Sequence, residues 1–294
     1  MTVNKLELTK QAVESIPNGA VIGLGGLSMN SAPMAIVREI IRQKKRDLTV
    51  IGIVAGMPVD WLIAGGCVSK IITGLVSFEG FGLAPNFRKA AETRTVEIEE
   101  YSEHLLICRL QAQAQNLPFI PTRAGLGSDV LKLHSSTKTV REEVDTLTGE
   151  HYVACSRLPL DIAIVHAHEA DLLGNVRVLP KLIWMDNEIV NAANSTIASV
   201  ERIVDHSIFT SNPAETTYPR FMIDKIVNNP LGALPTSLYP DYKHSQDFYT
   251  RYCDAATNQK GFEKFFNEFV VEPETWDDFI AVNNLSPVDT MVKL

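Results

Sequence analysis

The sequence predicts an α/β domain: an open, mostly parallel sheet with helices on its faces, followed by a helical C-terminal extension. Three observations predict it. Short, nearly unbroken apolar runs with β-branched members recur between residues 20 and 76 and again after residue 150, the pattern of strands buried on both faces. Segments with apolar residues at helical spacing lie between them. The chain of 294 residues is 45% hydrophobic and 21% charged, a globular composition. It shows no internal repeat, low-complexity run or composition break, so one domain over 1–294 is the simplest organisation, with about 245–294 as the extension.

The elements follow in order. Ala20-Val21-Ile22-Gly23-Leu24 is a strand entered from the turn pair Asn18-Gly19. Ser31 is placed as the cap of the next helix, with Pro33 in its first turn and Met34, Val37, Ile40 and Ile41 on one face. Leu48 to Val54 is a continuous apolar strand, Trp61 to Ala64 a short helix stopped by Gly65-Gly66, and Lys70 to Val76 a third strand. Thr95 to Ile98 reads as a short strand and Glu103 to Gln115 as a helix carrying Leu106, Leu110 and Ala114. Pro118 and Pro121 force an extended segment into Thr122-Arg123-Ala124-Gly125-Leu126-Gly127. Residues 128–150 are polar with no clear period and read as a surface excursion. Tyr152 to Cys155 and Asp161 to Val165 are strands, and Leu173-Gly174-Asn175-Val176 signals a turn between strands. Met185 to Ala193 suits a helix, Ser195 to Val204 a strand, and Met222 to Val227 another buried run. From Ser245 onward Phe248, Tyr249, Tyr252, Phe262, Phe265, Phe266 and Phe269 recur at helical spacing, as core or intersubunit residues do.

Composition removes several function classes. A net charge of -8 disfavours nucleic acid, whose phosphates require clustered cations. The one dense basic run, Arg42-Gln43-Lys44-Lys45-Arg46, falls at a helix end, where cations suit the macrodipole; the other reading is a local nucleotide-phosphate site. Cys67, Cys108, Cys155 and Cys253 are far apart and flanked by apolar residues, so buried free thiols in a reducing compartment are expected. Met1 to Lys10 is too polar for a signal peptide, and no window approaches 18 unbroken apolar residues. A cytoplasmic location with no membrane partner is the expectation.

The strongest local feature is Gly23-Leu24-Gly25-Gly26-Leu27-Ser28, between the first strand and the first long helix. Such a loop allows close backbone approach and precedes a helix N-terminus, which suits a phosphate, a carboxylate or a thioester oxygen. It is not the dinucleotide fingerprint, because position 28 is serine, and no GK[ST] follows as in a P-loop. A purely structural tight turn is the competing reading. Glu99, Glu100 and Glu103 cluster before a helix that Ser102 can cap; they suit the helix dipole or, in a cleft, a nucleophile or base. Arg123 can hold a substrate carboxylate or tie down its own loop. His166 and His168 share a strand face, but no third ligand lies at an obvious spacing, so no metal is expected and ordinary strand-end polarity is preferred. No G-x-S-x-G elbow supports a hydrolase triad.

The order of these motifs resembles the A-type chain of family I CoA-transferases, the glutaconate type in particular, from about residue 5 to about residue 280. The resemblance rests on Gly23-Leu24-Gly25-Gly26 followed by Ala32-Pro33-Met34, on Arg46-Asp47-Leu48-Thr49, Val96 to Ser102 and Leu117 to Arg123. In the second half it rests on Asp161 to Ala167, Gly174-Asn175-Val176, Ser199 to Ile203 and Gly232-Ala233-Leu234-Pro235. It implies an open α/β fold and a homologous B-type partner, in a heterodimer or heterotetramer with the active site between the two. It further implies an acyl-CoA substrate, a nucleophilic glutamate supplied by that partner, and no cofactor beyond CoA as part of the substrate. Gly25 and Gly26 are then expected near the thioester and Arg123 near an acyl carboxylate, with Ser28 and Gly125 as further substrate-binding residues.

The stretches Arg109 to Gln115, Leu117-Pro118-Phe119, Arg123 to Ser128 and Tyr239 to Tyr242 look especially similar to another branch. Its members are large subunits of ring-opening hydrolases that cleave a carbon–carbon bond of a cyclic keto-acyl-CoA in steroid catabolism. That likeness implies a catalytic role for Glu103. Leu27-Ser28-Met29-Asn30 departs from both and is expected to shape the acyl pocket. A rival from another class is a non-catalytic effector-binding domain, since related α/β folds serve regulators.

Overall fold

Buried apolar runs in a parallel sheet need helices on both faces, and the chain supplies them in alternation. The structure, a computed structural model, describes residues 4–286. The strands are β1 (Leu6–Glu7), β2 (Val21–Leu24), β3 (Leu48–Ala55), β4 (Val68–Val76), β5 (Glu97–Glu100), β6 (Phe119–Thr122), β7 (Val140–Val144), β8 (His151–Ser156), β9 (Leu160–Ala170), β10 (Val176–Arg177), β11 (Ala193–Ile203) and β12 (Lys225–Asn228). The helices are α1 (Thr9–Glu14), α2 (Met34–Arg42), α3 (Met57–Ala64), α4 (Pro85–Thr93), α5 (Glu103–Ala114), α6 (Val130–Leu133), α7 (Asp186–Ala192), α8 (His206–Ser211), α9 (Gln246–Ala255), α10 (Gln259–Phe266) and α11 (Trp276–Val282).

The main sheet runs in the order β1-β12-β11-β9-β2-β3-β4-β5, with every neighbouring pair parallel. The short β10 folds back antiparallel on β9. Asp171 shapes that turn by accepting the Leu173 and Asn175 N–H groups at 3.0 and 2.9 Å, where the sequence signals a turn. A separate antiparallel sheet runs β6-β8-β7. From β2 the chain moves through β3, β4 and β5 to one edge; from β9 it moves through β11 and β12 to the other. The adjacent pair β2 and β9 is therefore the topological switch point, and the crevice at their carboxyl ends is where ligands bind in open α/β sheets.

Side chains alternate between two cores. Ile22, Leu24, Val50, Ile162, Ile164 and Ile197 face a layer containing α2, α3 and the C-terminal helices. Ile51, Ile53, Ala163, Val165, Ala198 and Val200 face a layer containing α5, α7 and the small sheet. The aromatic tail belongs to the first core. Phe248 and Phe279 lie with ring centroids 5.9 and 5.6 Å from Trp61, and Phe265 and Phe266 are buried beside them. The buried Arg38 ties the far end of this tail to α2, donating to the carbonyls of Val270 at 2.6 Å, Thr275 at 3.1 Å and Pro273. Asp60 of α3 accepts from Tyr252 Oη at 2.7 Å and from the Phe87 N–H at 2.8 Å, joining α3, α4 and α9.

Several expectations change. Residues 128–150 are not an unstructured excursion: they hold α6 and β7, and β7 pairs with β8 because its backbone groups find a ladder partner further along the chain. Ser31 is not the helix cap. Pro33 takes that position, and Ser31 sits in the preceding loop at φ +55° with its N–H on the Ser237 carbonyl. The helix expected at Trp61 begins at Met57, with Pro58 in its first turn. The strand expected to end at Val165 continues to Ala170, so His166 and His168 lie within it. Lys45 of the basic run caps α1, donating to the carbonyls of Glu14 and Ile16 at 3.0 and 2.6 Å. Cys67, Cys108 and Cys155 are buried, while Cys253 is half-buried.

Candidate active site

The glycine loop leaves the carboxyl end of β2, at the switch point. Each of its three glycines meets protein where a side chain would stand. A Cβ on Gly23 would lie 2.5 Å from Ile189 Cγ2, and one on Gly25 would overlap the Asp186 carboxylate and stand 3.0 Å from Val165. Glycine at these positions lets α7 sit directly against β2 and β9. Gly26 turns the chain at φ +85°, and a Cβ there would overlap the carbonyl of Asn30.

The amides of this loop are engaged within the chain. Gly25 N–H donates to Ile164 O at 2.9 Å, Gly26 N–H to Asp186 Oδ1 at 3.1 Å and Ser28 N–H to Val54 O at 2.8 Å. Leu27 and Asn30 exchange backbone bonds. On the other side Ser237 clamps the loop: its N–H donates to Met29 O at 2.8 Å and its carbonyl accepts the Ser31 N–H. Ser28 is buried at φ +51°, an unusual region for a serine, with Oγ 3.2 Å from Ser77 O. It thus rests on the carboxyl ends of β3 and β4.

Glu103 stands at the same edge of the sheet. It is the first residue of α5, behind the Ser102 cap, and its Cγ lies 3.3 Å from where a Cβ on Gly74 would be. The residue is exposed and makes no ion pair among the described residues. Glu99 differs. It lies in β5 against Lys70 Nζ at 2.5 Å and Arg109 at 3.5 Å. Burial pushes its carboxyl up, but the bonds from Lys70 and Tyr101 and the charges of Lys70 and Arg109 outweigh it and hold it below the usual range. Arg123 is 73% exposed and paired with Glu150 at 2.8 Å across the small-sheet loops. Gly125, at φ +86°, packs towards Leu105 of α5 and Leu131.

Sequence reasoning missed two buried features. The first is Asp186, which it read only as part of a helix. Burial pushes this carboxyl up to about 6, against the lowering effect of the Gly26 N–H and its own backbone N–H. The second is a polar network on β9 and β11. His166 Nδ1 lies 3.0 Å from Ser199 Oγ and its Nε2 lies 2.8 Å from Glu201 Oε1. Tyr242 Oη and the Leu231 N–H each donate to Glu201 at 2.7 Å. These donors overcome desolvation and hold Glu201 below the usual carboxylate range. His168 accepts the Leu179 N–H on Nδ1 at 3.0 Å and so donates from Nε2 to Tyr239 O at 3.0 Å. Both histidines are satisfied within the chain at the switch point, and among the described residues no group of three or more His, Cys, Asp or Glu is arranged to hold a metal. A pocket of about 210 Å³ opens beside the loop, lined by Asn30, Ser31, His168, Leu182, Trp184 and Tyr239. The only sequence signal for the network was polar residues within apolar strands, and Asp186, at a helix start, carried none; the network's side-chain pairings cross 33 to 41 residues and the Asp186 clasp crosses 160.

Comparison with known proteins gives one family. The model described as "Coenzyme A transferase" matches residues 6–229. The chain is 34% identical to the cholesterol ring-cleaving hydrolase IpdA subunit of Mycobacterium tuberculosis, over 93% of this chain and 95% of that one. It is 30% identical to the A chain of glutaconate CoA-transferase from Acidaminococcus fermentans, over 95% and 91%. The crystal structure of that glutaconate enzyme superimposes with a TM-score of 0.91 at 27% identity, covering 98% of this chain and 96% of the other.

Proposed function

The chain belongs to the coenzyme A transferase family, and from that premise we propose that it is the A-type component of a heteromeric enzyme that moves CoA between carboxylic acids. One observation carries the reading. The glycine loop, with Gly25, Gly26 and Ser28, is fixed at the switch-point crevice of a chain that superimposes along nearly its whole length on a glutaconate CoA-transferase. In this reading a glutamate of the homologous partner attacks the thioester carbonyl and expels CoA thiolate, giving a mixed anhydride. The thiolate then attacks the glutamyl carbonyl and releases the first acid, leaving a glutamyl-CoA thioester that the second acid reverses. CoA is part of the substrate and no further cofactor takes part. The loop holds the thioester region, with Arg123 and Gly125 nearer the acyl end, and the two homologous chains join as a heterodimer or heterotetramer in the cytoplasm.

A second reading has its own observation. Glu103 is an exposed carboxylate without an ion-pair partner among the described residues, at the same sheet edge, and the chain is 34% identical to a ring-cleaving hydrolase subunit. There Glu103 acts as base on water in opening the ring of a cyclic keto-acyl-CoA.

The test is to purify the chain with the product of the neighbouring reading frame, offer a panel of CoA esters, and reduce the mixture with borohydride. A glutamate of the partner trapped as its alcohol, with Glu103→Ala still active, supports transfer. No trapped residue and an inactive Glu103→Ala pair support hydrolysis. A pair with no affinity for any CoA ester overturns both.

A further inference from the structure

Asp186 has no part in either mechanism, yet it is the side chain against which the glycine loop is built. Its carboxylate occupies the space a Cβ on Gly25 would need, and Oδ1 accepts the Gly26 N–H at 3.1 Å. The residue is 7% exposed and opens α7, which reaches the loop only because positions 23 and 25 lack side chains. On the opposite side Ser237 and Thr236 hold Met29 to Ala32 through backbone and hydroxyl bonds. The loop is therefore held between one ionisable clasp and one set of neutral bonds.

We propose that Asp186 is a positioning residue for the substrate: its carboxylate sets the Gly25-Gly26 turn, so that the ionised and neutral forms of Asp186 present two differently held loops to the acyl-CoA. This rests on the reading of the chain as a component of an acyl-CoA enzyme. An N–H bond to a carboxylate is roughly twice as strong as one to a neutral acceptor. Protonation loosens the clasp without removing it, because the carbonyl oxygen of the acid still accepts.

The groups facing Asp186 come from three elements. Glu188 of the same helix pushes its carboxyl up, and His166 of β9 pulls it down. The Tyr218 hydroxyl, buried without a hydrogen-bond partner, is itself pushed up by burial and then by the charges of Asp186 and Glu188. Burial dominates, and the Asp186 carboxyl, pushed up to about 6, changes charge just below neutrality.

The test uses the purified pair and two variants, Asp186→Asn and Asp186→Ala. In the wild type kcat/KM falls on an acid limb with a midpoint at about 6. Asp186→Asn keeps a neutral acceptor, so its activity is flat between about pH 5 and about pH 8 and matches the wild-type acid plateau, on the order of 3- to 10-fold below the neutral value. Asp186→Ala is flat and lower still, on the order of 10- to 100-fold down, mostly in kcat, because a misplaced loop costs more in the transition state than in binding. Hydrogen exchange of the peptide containing Gly25 to Leu27 speeds up in Asp186→Ala and much less in Asp186→Asn. A wild-type limb retained in Asp186→Asn, or a folded Asp186→Ala pair with unchanged kcat/KM and unchanged loop exchange, overturns the proposal. If the wild-type pair turns over no CoA ester, it is the functional reading that fails, and loop exchange alone then decides for or against the clasp.

Discussion

At the scale of single residues, buried charge separates what holds the site from what faces outward. Glu201 is hydrogen-bonded to His166 and Tyr242 and to the N–H groups of Leu231 and Gly232, in the segment that leads to the Ser237 clamp. Glu201→Gln replaces an acceptor oxygen with a donor facing donors, and a loss of about 3–5 kcal/mol in urea unfolding is expected. The folded carboxyl titrates below its unfolded value. The stability it contributes is complete above the ordinary carboxylate range and is lost as pH falls through the lower folded value, and Glu201→Gln removes that dependence. Asp186 works in the opposite sense. Its folded value is raised to about 6, so the favourable neutral form is complete in acid and is lost as pH rises through about 6. Asp186→Asn therefore raises the urea midpoint at about pH 8 and leaves it unchanged near about pH 3, the stability gained where activity is reduced. Gly26→Ala meets backbone atoms and a positive φ together; a loss of about 1–3 kcal/mol is expected in thermal unfolding.

At the scale of elements, the C-terminal helices are the clearest test of how the chain is joined. The sequence offered a stripe of aromatics that suited either a core or a contact between chains, and the structure shows them packed around Trp61 on one face of the main sheet. Arg38 holds the carbonyls after α10. Arg38→Met keeps the aliphatic stem and removes the bonds to three carbonyls, so a loss of about 1.5–3 kcal/mol is expected, with faster hydrogen exchange confined to the C-terminal helices. Glu103 is legible as a helix-start acid from Ser102 alone, and the structure has that cap, the Leu105 N–H donating to Ser102 Oγ. What α5 does with that carboxylate depends on Gly74 beneath it, far earlier in the chain. If transfer is the reaction, Glu103→Ala costs only the helix-dipole contribution, about 0.3–1 kcal/mol, and a loss of activity beyond about 100-fold assigns ring opening instead.

At the scale of the whole molecule, the order of strands brings the two halves of the sequence together. β2 and β9 are neighbours with 135 residues between Leu24 and Leu160, counted from the ends of the two strands. The glycine loop from the first half then meets Asp186, Ser237 and His168 from the second. No helix among the described residues is long and apolar enough to cross a membrane. If the proposed partner closes the crevice, the pair melts above the isolated chain, and a bound CoA ester raises the midpoint further.

Sequence by itself determined the class of fold, most of the parallel strands and several of their helices though not β1, α1 or α4, the turn at Asn175, the family, and the place of the glycine loop between strand and helix. Those features rest on local periodicity, turn chemistry and short motifs, which are written in consecutive residues. Tertiary structure alone decided that β7 pairs with β8, that the glycines make room for α7, that Glu99 is bound in ion pairs while Glu103 makes none among the described residues, and that Asp186 clasps the loop. Each of these is a contact between residues separated in the chain. Its energy comes from desolvation and hydrogen-bond partners that exist only once the sheet has brought them together.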